Sequence, residues 1–97
     1  MAVYKDSKAD LYHADGVTNG QSCQVRVGED GSIALSYQGD AGPVVYEGQE
    51  IGSGHYVLKA ASVNGEGTLH RVPGEDILEG WWLEGGYEGM WRIELKE

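Results

Sequence analysis

The residues with most scope for chemistry crowd toward the end of the chain. Trp81, Trp82 and Trp91 are its only tryptophans, and Arg92 directly follows the last of them. An indole offers a large rigid apolar surface with one N–H donor. With Tyr37, Tyr46, Tyr56 and Tyr87 upstream, these side chains suit a pocket for a small, partly apolar molecule. In that reading Trp82, Trp91, Tyr56 and Tyr37 form the walls, and Arg92 holds a polar end of the ligand. The competing role is structural. The chain has no phenylalanine, so tryptophan must fill part of the core. Arg92 has alternatives too, stacking on a neighbouring indole or pairing across strands with a glutamate.

Other reactive types are present without the spacing that chemistry needs. His13, His55 and His70 are scattered, and no pair has metal-ligand spacing. Neither a metal nor a cofactor is expected. Cys23 falls mid-strand on an apolar face, the setting of an inert buried thiol. Ser32, Ser36, Ser53 and Ser62 lie in no nucleophile motif. Gly-x-Gly at 52–54 and 65–67 does not lead into a helix, so no phosphate loop is implied. Glu79, Glu84 and Glu88 read as solubilising charge in an acidic chain. An enzyme would have to use His70 or His55 with a nearby glutamate as acid and base.

These residues need elements to hold them. Residues 76–97 read as a β-hairpin with a four- to six-residue loop around Glu84-Gly85-Gly86-Tyr87-Glu88-Gly89. In its second arm Trp91, Ile93 and Leu95 alternate with Met90, Arg92 and Glu94. Its first arm is apolar on both faces, Leu78 and Trp82 on one, Ile77, Trp81 and Leu83 on the other. A strand of that kind is covered on both sides. A second subunit docking on Trp81, Leu83 and Ile77 is one cover, a ligand another, and the N-terminal segment a third.

Upstream, Cys23, Val25 and Val27 alternate with polar residues, as do Ile33, Leu35 and Tyr37, with Glu29-Asp30-Gly31 between them as a hairpin turn. Val44–Glu50, His55–Ala61 and Gly67–Val72 read as further strands. Turn signals fall at Asp15-Gly16, Asn19-Gly20, Gly39–Pro43, Gly52–Gly54, Asn64-Gly65 and Pro73–Asp76. Met1–Lys5 reads as an edge strand and Ala9–His13 as another; residues 5–14 also permit two turns of helix. Turns every ~8–12 residues mark an all-β sandwich or barrel. Short connections favour an antiparallel meander of about eight short strands, forming a small up-and-down barrel or a strongly curved sheet.

Length and charge narrow the function further. Ninety-seven residues make one domain, 1–97. The net charge is −9, with 11 acidic and 4 basic residues after position 39. Nucleic acid and an anionic membrane surface are therefore disfavoured as partners. A lone cysteine excludes an internal disulfide, and there is no 20-residue apolar run. With no signal-peptide pattern at residues 1–20, the expected location is a bacterial cytoplasm.

At Gly80-Trp81-Trp82 and Gly89-Met90-Trp91-Arg92 the chain resembles the calycin superfamily of lipocalins, fatty-acid-binding proteins and avidins. That resemblance implies an up-and-down barrel holding a small apolar ligand, with a tryptophan plugging its closed end. Its size, acidity and lack of motifs also resemble the small proteins carried by bacterial integron gene cassettes. The expectation is a non-enzymatic small-molecule-binding barrel that forms a homodimer. An interaction module working through the Trp81–Leu83 strand, selecting a basic partner, is the alternative.

Overall fold

Period-two alternation runs through nearly the whole chain, and one apolar set of each strand ends on the inner wall. The computed structural model describes residues 2–97. Its strands are β1 (Ala2–His13), β2 (Gly16–Val27), β3 (Ser32–Gly39), β4 (Gly42–Gly52), β5 (His55–Ala60), β6 (Gly65–Arg71), β7 (Ile77–Glu84) and β8 (Tyr87–Glu94). Each pairs antiparallel with the next, and β8 pairs with β1, closing an eight-stranded up-and-down barrel. Closure removes the free edges that a curved sheet would expose. A 3₁₀ turn, Ala61–Val63, links β5 to β6. No helix of the described residues is long and apolar enough to cross a membrane.

The barrel is narrow enough for side chains to fill most of it. Val25, Ile33, Leu35, Leu58, Leu69, Leu78 and Ile93 are buried inside. The seam is tied beyond its ladder. The Asp6 amide donates to the Lys96 carbonyl at 2.9 Å. The Ser7 hydroxyl, fully buried, donates to the Tyr4 carbonyl and accepts from the Lys96 amide, both at 3.0 Å. A polar side chain is tolerated at that depth because both its roles are filled.

Several boundaries differ from the sequence reading. The two short N-terminal segments form one strand, β1, which pairs with β2 and β8 over residues 8–12. Two ladders outweigh the two helical turns that residues 5–14 permit. Met1, the first residue of the expected edge strand, lies outside the described residues. Asn19-Gly20 is not a turn but an irregularity inside β2, where the β1 register shifts between Ala9 and Leu11. Gly20 takes a φ of 68° there, and its amide donates to the Asp10 carboxylate at 3.0 Å. A bulge uses the same positive φ that marks a turn, so local sequence does not separate the two. The last hairpin turns on two residues, Gly85 and Gly86, with φ of 59° and 87°. Two positive φ values in succession make the tight turn whose twist matches its strands, and pairing extends to Glu84 and Tyr87.

Candidate functional site

The barrel ends differ. At the end reached by the start of β5, Tyr56 is buried, and the Arg71 guanidinium lies over the Tyr4 ring at 5.9 Å. Toward the other end, where β1, β3 and β7 finish, the filling is incomplete. A cavity of about 70 Å³ lies there among Ala9, Leu11, Cys23, Leu35, Trp82 and Trp91, with His13, Gln21, Tyr37, Tyr46 and Glu84 completing its wall. A groove outside, near His70 and Trp81, encloses more space, about 580 Å³. It is shallow and open to solvent, and a concave interior site holds a small ligand better.

Trp82 and Trp91 reach the interior because glycines make room for them. Trp82 stands in register between Gly67 on β6 and Gly89 on β8. A Cβ on Gly89 would come 2.9 Å from the Trp82 ring. A Cβ on Gly67 would come 2.9 Å from the Trp91 ring, and one on Gly65 would lie 2.5 Å from the Tyr46 hydroxyl. Large rings on inward positions and glycines beside them are therefore one packing solution. Both indole N–H groups are used internally. Trp82 Nε1 donates to the Met90 carbonyl at 3.1 Å, and Trp91 Nε1 to the Thr68 carbonyl at 2.9 Å. The tryptophans offer a ligand their surface and no donor.

The polar group of the cavity is Glu84. It closes β7 two residues after Trp82, so the pleat turns both inward. Its Oε1 accepts from the Tyr37 hydroxyl at 2.8 Å and from the Tyr46 hydroxyl at 2.9 Å. Burial, then the hydrogen bond to Glu84 and its negative charge, push both tyrosines well above their ordinary value. Both therefore remain hydroxyl donors at neutral pH. The Tyr46 ring also meets Trp91 edge-on at 5.2 Å. His13 packs edge-on against Trp82 at 5.5 Å, with Nε2 3.1 Å from the Thr18 hydroxyl. Desolvation pushes the buried Cys23 thiol up to about 11, so it stays protonated and weakly nucleophilic.

Of the residues expected to bind a ligand, Trp82, Trp91 and Tyr37 come together on this cavity. Tyr56 faces inward at the opposite end, and Arg92 stands on the outer wall opposite Asp10 and Glu79. Glu84 and Tyr46 complete the site in their place. The signal for Glu84 was its two-residue spacing from Trp82, masked because the expected loop began at that residue.

Trp81, Leu83 and Ile77 all face outward and are half-buried. Trp81 Nε1 donates to Glu88 at 3.2 Å. The N-terminal segment does not fold over them, since β1 is itself a wall strand. Across the outer wall Val57, Thr68, Trp81, Met90, Tyr12 and Val17 are successive register partners. They make an apolar row over six strands. Below it runs a polar row, His55, His70, Glu79, Arg92 and Asp10. The two histidine rings in it meet edge-on at 4.4 Å. No group of three or more metal-binding side chains occurs among the described residues.

Compared with known proteins, the chain matches no family model, no curated protein and no solved structure.

Proposed function

We propose that the protein is a non-enzymatic binding module that holds a small molecule inside one end of its barrel. One observation carries this reading. An aromatic-lined cavity lies inside one end of the barrel, and the Glu84 carboxylate lines it, held by two tyrosine hydroxyls. Trp82 and Trp91 supply contact area, and Glu84 fixes the ligand's polar end. The cavity lies far below the ~300–1,000 Å³ of typical drug-sized sites. The ligand is accordingly a fragment or a headgroup whose remainder projects past His13. Titrating small fragments while following tryptophan fluorescence tests this. A saturable change is expected in the wild type and not in Ala9→Leu, whose added carbons fill the cavity, with melting curves confirming that the variant folds. Absence of saturation across the fragments would sink the reading.

The apolar row on the outer wall favours a second reading, a homodimer formed through Trp81 and Met90. Among these residues Met90 is 53% exposed and Val17 51%. A two-fold axis would lay the row against itself, with the flanking charges at a wet rim. Light scattering should then give twice the 10.5 kDa chain mass, falling to one chain mass in Trp81→Lys. A wild-type monomer at all concentrations rejects it.

A further inference from the structure

We infer that the cavity takes a small organic cation bearing N–H groups, an alkylammonium or guanidinium headgroup, on Glu84; this rests on the cavity being a binding site. The argument starts from charge. Among the described residues, Glu84 is the only acidic one lining the cavity, and neither lysine nor arginine lines it. The one ring there that can become cationic, His13, lies edge-on to Trp82 and shares a hydrogen bond with Thr18. Glu84 is half-buried, so its charge is partly screened from bulk water, and a cation in the cavity pairs with it directly.

Hydrogen bonding points the same way. Both tyrosine hydroxyls are donated to Oε1, and among the described residues no hydrogen bond reaches Oε2. The tyrosines orient the carboxylate and leave its second oxygen as an acceptor. Few donors face an anion: one Gln21 amide N–H and the His13 ring remain, and the other N–H groups lining the cavity are used. The indole N–H groups go to backbone carbonyls, and the Gln21 amide donates to the Ser22 carbonyl at 3.3 Å. An anion would meet a negative charge and aromatic faces. A cation meets an opposite charge on Glu84 among aromatic walls that carry no positive charge of their own.

Size sets the headgroup. At roughly 10–15 Å³ per water-sized atom, the cavity admits about five to seven non-hydrogen atoms. Its volume of about 70 Å³ suits methylguanidinium or a short alkylammonium, with any longer tail leaving by the His13 side. The net charge of −9 raises the concentration of cations near the protein.

The test compares methylguanidinium and propylammonium with the neutral N-methylurea and the anionic propionate. Chemical shifts of the Trp82 and Trp91 indole N–H groups report binding in wild type, Glu84→Gln and Ala9→Leu. The glutamine keeps an oxygen for the tyrosine hydroxyls and replaces the charge and the second acceptor oxygen with an amide N–H donor. Both cations should saturate the indole shifts, with the neutral and anionic probes at least tenfold weaker. Glu84→Gln should weaken the cations at least tenfold, and Ala9→Leu should abolish their shifts. N-methylurea binding as tightly as methylguanidinium, with Glu84→Gln unchanged, would overturn the inference and leave the binding site standing. Cation shifts that survive Ala9→Leu would place the ions on the acidic exterior and overturn it as well. No saturation by any probe would remove the inference together with the site.

Discussion

Replacing Trp91 with alanine should cost about 3–5 kcal/mol of folding stability, the range for emptying a buried aromatic position. Trp91 is only 3% exposed and lies against Gly67, so a truncated ring leaves no neighbouring side chain on that side to close the gap. It also gives up its edge-on contact with Tyr46 and leaves the Thr68 carbonyl without the indole donor. A domain with about 5–15 kcal/mol in total would lose a large fraction of its stability. Urea denaturation of wild type and variant measures the difference. Trp82→Ala should fall in the same range, because Trp82 is equally an inward ring between glycines. Trp81→Ala should cost far less, since Trp81 is half-buried on the outer wall. A loss below about 1 kcal/mol for Trp91→Ala would mean that the ring does not fill the barrel.

The second large effect is alkaline unfolding. An unfolded tyrosine ionises near pH 10. Tyr37 and Tyr46 hold their protons to higher pH in the folded barrel, through burial first and the Glu84 carboxylate second. Above pH 10 the folded chain therefore binds more protons than the unfolded chain, and stability must fall as pH rises. Their contribution is complete below about pH 10 and is lost as the pH climbs through the raised folded values. Near-ultraviolet absorbance should show part of the tyrosinate signal appearing only together with loss of the far-ultraviolet strand signal. Tyr37→Phe combined with Tyr46→Phe should remove most of that late fraction, leaving the part due to Tyr56, whose proton burial also holds. If all six tyrosines ionise in one step while the strand signal persists, the Tyr37–Glu84–Tyr46 cluster is not buried as described.

The outer wall and the interior answer different questions. Trp81 and Leu83 make β7 apolar on both faces, which in a lone sheet would call for a covering layer. Here closure does half of that work by turning Leu78 and Trp82 inward. The outward half joins Met90, Tyr12 and Val17 in a row that no single strand reveals. That row forms because Tyr12 of the first strand pairs with Met90 of the last.

What the sequence determined by itself was the alternation. Val25 with Cys23, Leu35 with Ile33, and Ile93 with Trp91 are inward pairs that period two marks without any knowledge of neighbours. Turn residues separated those segments, so strand identity, antiparallel order and a barrel or curved sheet were all legible. Trp82, Trp91 and Tyr37, read as the walls of a pocket, do line the cavity, because large aromatics on inward faces meet inside the barrel. Only the tertiary structure decided how the sheet ends and which polar group enters. Closure depends on β1 meeting β8 across nearly the whole chain, and no local pattern encodes that register. Glu84 lines the cavity because the last hairpin turns in two glycines, extending β7 by the one step that carries its carboxylate to the inner side. There it meets Tyr37 and Tyr46, from strands 47 and 38 residues earlier in the chain. A charge is solubilising or functional according to what surrounds it, and its surroundings come from long-range pairing.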